Sequence, residues 1–191
     1  MPRFENLLKR EIEVLRDGSE LLSNYVEGLE AGRKVEPADL RMAVHAMQII
    51  FESFHLGKEL KLLYPALKNS VGWADATPDD LQRIELNKFK HSKVAKTMLE
   101  LRLAIELYEN NNLDHKRLLW NLKAFVELIA SHTEVEHEEL MKIARRTLTA
   151  PEEIELRKHA RDFDQGVGLD VMSRAKQIVA ALRLSKRSVA V

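Results

Sequence analysis

The chain has 191 residues, 45% of them apolar, with thirty basic side chains against thirty acidic ones and no cysteine. That length supports one sizeable core, and a net charge of zero supplies no long-range attraction for nucleic acid or an anionic membrane, so neither is an expected partner. Without cysteine there is no disulfide, thiolate nucleophile or zinc–thiolate site, and any metal has to be held by His, Asp and Glu.

The segment Met1-Pro2-Arg3-Phe4-Glu5-Asn6 lacks the basic-then-apolar pattern of a secretory signal, and no stretch approaches the roughly twenty apolar residues of a membrane span. A cytoplasmic protein without membrane contact is expected. The first helix is predicted from about Pro2 to Ala31, with Leu8, Ile12, Leu15, Leu22, Val26 and Leu29 on one stripe, a possible bend at Gly18-Ser19 and a stop at Gly32. The next opens at Pro37, a favoured first-turn residue, and carries Val44, Phe51, Leu62 and Ala66 inward as far as Lys68.

Residues 70–76 form a connection, after which Thr77-Pro78-Asp79-Asp80 combines an N-cap, a first-turn proline and two acids at the positive end of a third helix running to Glu109. Asn110, Asn111 and Asn112 make a loop. A fourth helix follows, with Phe125, Leu128, Val135 and Ile143 along its inner face. Thr149 and Glu152 stand at capping-box spacing and open a helix to about Phe163, a break at Gly166 and Gly168 follows, and a last helix runs to about Leu184. The basic end, Lys186 and Arg187, reads as a solvated, frayed terminus. The expected fold is all-α: an up-down four-helix bundle over residues 1–148, with residues 149–191 as a helical appendage packed on it.

One spacing occurs twice, half a chain apart: His55-Leu-Gly-Lys-Glu59 and His132-Thr-Glu-Val-Glu136. On a helix, residues i and i+4 share a face, so each segment aims an imidazole and a carboxylate at one point. Both pairs lie on apolar stripes, and His91 shares a third stripe with Ile84, Val94, Met98 and Ile105. Burying these groups without partners is costly. Two arrangements satisfy them: a hydrogen-bonded network, or a metal held by imidazole and carboxylate, for which iron, manganese and zinc are the suitable ions.

The run His55-Leu-Gly-Lys-Glu59-Leu-Lys-Leu-Leu-Tyr64-Pro65 resembles the second-helix signature of hemerythrin-like (HHE cation-binding) domains, and Leu128-Ile129-Ala-Ser-His132-Thr-Glu-Val-Glu136 is similar to their fourth-helix signature. His91 falls where their third helix carries its histidine. Over residues 7–156 the resemblance implies two non-haem irons, with Glu59 and Glu136 as bridging candidates and His55, His91 and His132 as terminal ligands. The family's first-helix histidine is missing. Glu11, between Leu8 and Leu15, is its best-placed substitute, and is either a ligand or a solvated acid according to the rotation of its helix. The oxygen carriers' second third-helix histidine is replaced by Ala95, which leaves a coordination position open.

The expected function is therefore metal binding, with sensing, binding or storage of iron, oxygen or nitric oxide. The alternatives are a di-iron peroxidase, oxidase or nitric-oxide enzyme, and a metal-poor regulatory module. Small diatomics or peroxide are the expected partners, with no nucleic acid and no membrane. His137 reads as a rim or supporting residue a third of a turn from Glu136, His45 as a core-edge residue, His115 and His159 as solvated. Glu138 and Glu139 read as charged surface residues, Glu139 the nearer to the cavity mouth, while Tyr64, Trp73 and Trp120 read as packing.

Overall fold

Every regular element among the described residues is a helix in the computed structural model: six long helices, with a short 3-10 helix, Val71–Asp75, in the expected connection between the second and third. The structure describes residues 4–111 and 115–187, the side chains of residues 111, 135, 136 and 185–187 excepted. Pro2, Asn112 and the side chains of Val135, Glu136, Lys186 and Arg187 thus lie outside the described residues. Helix α1 is Glu5–Glu30, α2 covers 37–69, α3 is Pro78–Asn111, α4 covers 115–147, α5 is Ala150–Val167 and α6 is Leu169–Arg187. No helix among the described residues is long and apolar enough to cross a membrane.

Local chemistry sets the boundaries. The chain leaves α1 through Gly32, whose φ of 71° suits a residue without Cβ. Thr77 and Asp80 cap α3 reciprocally: the Thr77 hydroxyl accepts from the Asp80 amide at 3.2 Å while the Asp80 carboxylate accepts from the Thr77 amide at 2.8 Å. Thr149 and Glu152 form the expected capping box at the start of α5. Only Gly168, at φ 105°, breaks the C-terminal helices. Gly166, expected to share that break, is helical, because glycine lowers helix propensity without forbidding it. Likewise α1 passes through Gly18 unbroken, and the missing side chain there makes room for Met47 of α2, which would lie 2.7 Å from a Cβ at that position.

Ion pairs report the directions of the helices. Glu5, near the start of α1, meets Arg145, near the end of α4, at 2.7 Å, and Glu30 at the other end of α1 meets Lys123 at 2.5 Å. Arg41 in the first turn of α2 pairs with Glu109 at the end of α3, and Arg83 early in α3 pairs with Glu139 late in α4. Consecutive helices therefore run antiparallel, and α1, α2, α3 and α4 each pack on two neighbours in a closed ring. Such exposed pairs add little stability. Helix α6 lies against α1 and α2, with Arg183 held by Asp17 and Glu20.

Helix α5 covers the middle of α2. A Cβ on Gly57 would come within 2.5 Å of the Phe163 ring, so the glycine is what lets α5 approach. Gly57→Ala should cost about 1–3 kcal/mol by overpacking. A thermal melt unchanged from wild type would show that α5 does not sit there.

The interior has an unusual order. One apolar cluster holds Val14, Leu15, Phe51, Phe54, Val94, Met98, Phe125 and Ile129, and a second holds Phe4, Leu8, Leu63, Tyr64, Ile84, Leu140 and Met141. On every one of the first four helices, buried polar residues fall between the two: Glu11 on α1, His55, Lys58 and Glu59 on α2, His91 on α3, and His132 and His137 on α4. A polar layer therefore divides the core.

Candidate metal centre

Three π-helical turns carry His55, Glu59 and His132 of this layer. Ile49–His55 and Glu59–Leu63 interrupt α2, and His132–Glu136 interrupts α4. A π turn inserts an extra residue into the helical winding and shifts the phase of all that follows; such bulges concentrate at functional sites. The shift has two visible consequences. Beyond Glu59 the buried residues of α2 are Leu63, Tyr64 and Leu67, whereas the expected Leu62 and Ala66 are only partly buried. In α4 the wider turn brings His137 inward along with His132, five residues earlier, and leaves His137 only 7% exposed.

The donors meet in the middle. His55 Nε2 lies 2.7 Å from His132 Nε2 and 3.3 Å from Glu59 Oε1, and His91 Nε2 lies 3.0 Å from Glu59 Oε2. One ligating atom from each of His55, Glu59 and His132 fits within a span of 4.8 Å. The rings of His91 and His132 cross edge to face with centroids 4.8 Å apart, and Phe51 sets its ring against His55, His91 and His132. Tyr64 stacks on His91 at 6.4 Å and donates its hydroxyl hydrogen bond to Asn87 at 3.1 Å, so it walls the site rather than merely filling space.

Glu59 is fully buried, yet neither of its oxygens has a hydrogen bond, because His91 and His55 are close to it without being aligned. Both nitrogens of His91, both of His137 and Nδ1 of His55 are also without one. Buried polar atoms in this state are rare and call for an explanation, and an ion among them is one that satisfies several at once. The residues present fit such an ion: neutral imidazoles and one carboxylate, with no sulfur.

Glu11 is buried, as one of its two expected readings requires, but it stands on the far edge of His55 from this convergence. Its Oε2 is 3.5 Å from His55 Nδ1, while Oε1 is bonded to the ammonium of Lys58. Lys58, one residue before Glu59, is completely buried and also meets Asp164 of α5 at 2.7 Å. Sequence reasoning missed Lys58, since a lysine in a helix is taken for a surface residue unless a buried acid is known to face it. The side chain of Glu136 is outside the described residues, so its expected place beside Glu59 does not enter this geometry.

The remaining candidates separate. His45 is exposed and is not at the core edge, and His159 is exposed and paired with Glu155 at 3.1 Å. Glu139 is held by Arg83 at the surface and does not reach the site. Trp120 is largely exposed, which contradicts a packing role.

Burial dominates the titration of the layer. It pushes His55 down to about 3 and His137 down to about 4, against the pull of Glu59, so both rings are neutral near pH 7 and able to offer a lone pair. Burial opposes charge on Glu59, and the imidazoles, His55 foremost and charged only in the acid range where this group titrates, hold the carboxyl below the usual range; near pH 7, with His55 neutral, that support is gone. Burial lifts Glu11 to about 8 in spite of Lys58.

These shifts define the pH response of the metal-free chain. His55 and His137 take up protons more readily unfolded than folded, so their contribution is complete above 6.5 and is lost as pH falls below it. Glu11 acts in the opposite sense: its folded form keeps a proton that the unfolded chain releases, and its contribution fades between 4.5 and about 8. Two losses against one gain leave a maximum near pH 6.5. Urea midpoints of chelator-treated protein should fall on either side of it, and a midpoint still rising at pH 5 would contradict the burial of these rings.

Comparison with family models, with curated proteins and with solved structures finds no match for this chain.

Proposed function

We propose that this chain is a hemerythrin-like metal protein: a four-helix bundle, α1 to α4, whose interior holds non-haem iron and whose role is to sense, bind or store iron, oxygen or nitric oxide. The observation that carries the reading is the Glu59 carboxylate, buried without a hydrogen bond among His55, His91 and His132. An ionised carboxylate in such a place is costly unless a cation joins it. Manganese and zinc suit the same donors, and the likeness of the two His-x-x-x-Glu segments to the hemerythrin-like signatures favours iron.

When bound, iron supplies a one-electron couple and a Lewis-acidic position open to a small molecule. The chain's own residues do the rest. His55, His91 and Glu59 come from antiparallel neighbours and His132 from the helix that closes the ring, so the ligands are pre-positioned by rigid elements. Phe51 and Tyr64 keep water from the imidazole faces. The enzymatic alternative, a peroxidase, oxidase or nitric-oxide-related activity, is favoured by Ala95, which offers no donor one turn beyond His91.

Purification with added iron tests the reading. The chain should carry iron that survives desalting and absorb in the near ultraviolet through charge transfer, whereas colourless, metal-free protein under those conditions would defeat it. Stopped-flow mixing of the ferrous protein with peroxide separates the two roles: a stable adduct marks binding, and turnover of a reductant marks an enzyme.

A further inference from the structure

Resting on the metal reading above, we infer that the centre is built for one ion rather than two, with the buried Lys58 ammonium supplying the positive charge that a second cation would otherwise bring to Glu11. Three features support this. The donor atoms have a single focus: Nε2 of His55 faces His132 and Glu59, and His91 reaches the other oxygen of the same carboxylate. Among the described residues Glu59 is the carboxylate that meets the Nε2 edges of these imidazoles, and one carboxylate with three imidazoles is a complete donor set for a single divalent ion with a position to spare.

The acid that a second ion would need is already committed. Glu11 gives one oxygen to Lys58 and turns the other to the Nδ1 edge of His55, the edge opposite the convergence. That is the edge on which an orienting acid stands behind a metal-binding histidine; at 3.5 Å the two are neighbours that no hydrogen bond yet joins. Glu11 is thus a positioning residue.

Lys58 is fixed in turn from a third helix. Asp164 of α5 meets its Nζ at 2.7 Å, and Phe163 packs over the neighbouring Gly57. The ammonium is therefore clamped between α1 and α5, where it cannot swing out to admit a cation, and a divalent ion beside it would meet a like charge in a poorly screened interior. Helix α5, outside the ring of four, in this way belongs to the site.

Titration of the full-length chain with Co²⁺, followed by its visible absorption and by metal analysis after desalting, tests this. The expected end point is one ion per chain. Two ions would overturn the inference and leave the metal reading standing, whereas no bound ion would remove both. Lys58→Met, which frees Glu11, should move the end point from one ion towards two, and an end point still at one would refute the role given to Lys58. Should that variant not fold, Glu11→Gln keeps Lys58 paired with Asp164 and decides the matter: its end point stays at one ion with weakened affinity, and loss of the ion would make Glu11 a ligand and overturn the assignment.

Discussion

Replacing Lys58 with methionine is expected to destabilise the metal-free chain by about 3–5 kcal/mol, the loss typical of removing one partner from a buried charge pair. The reason is specific. Lys58 has no exposed surface, and its ammonium stands against Glu11 and Asp164, themselves buried or largely so. Methionine fills the volume, so the loss comes from the Asp164 carboxylate left without a counter-charge and the Glu11 carboxyl left without its hydrogen-bond donor, and not from a cavity. Adding Glu11→Gln and Asp164→Asn to Lys58→Met should recover most of the stability, because neutral polar groups are far cheaper to bury than unpaired anions. Denaturant melts of the wild type, the single and the triple variant check this. A single variant within about 1 kcal/mol of wild type would mean that the ammonium is solvated, and the clamp between α1 and α5 would not exist.

Ferrous iron is expected to raise the thermal midpoint of the wild-type chain by roughly 10 °C when present at a thousandfold excess over its dissociation constant, since binding to the folded state alone then adds about 4 kcal/mol. His132→Ala should remove nearly all of this response. Its ring lies 2.7 Å from His55 Nε2 at the centre of the convergence, so truncation deletes a donor and opens space in the same place. His159→Ala, far out on α5 and exposed, should respond as the wild type does. Equal shifts in all three would assign the effect to ions on the surface.

Much of the architecture was legible because helical periodicity and punctuation are local. Gly32, Pro37, Thr77 and Thr149 mark boundaries through backbone freedom, a missing N–H or a capping side chain, and each acts where it stands in the chain. The burial of His55, Glu59, His91 and His132 was readable for the same reason: each falls in phase with apolar neighbours on its own helix.

What was not legible depends on winding and on pairing. No residue type announces a π turn, so extrapolation at 3.6 residues per turn put Leu62 and Ala66 where the chain buries Leu63 and Leu67, and it turned His137 away from a layer that it joins. Lys58 and Glu11 were opaque in another way. Each is an ordinary helical charge until the antiparallel register of α1 and α2 sets one against the other, and that register is a property of two helices at once.

Whether the polar layer dividing the core is a metal centre turns on where iron binds. Anomalous diffraction from crystals of the chain loaded with ferrous iron, recorded on both sides of the iron absorption edge, tests it most directly. The predicted result is a strong iron peak bounded by Nε2 of His55, His91 and His132 and by the Glu59 carboxylate. Iron found only against surface acids, with a continuous hydrogen-bond network of water or protein atoms joining those four side chains, would contradict it.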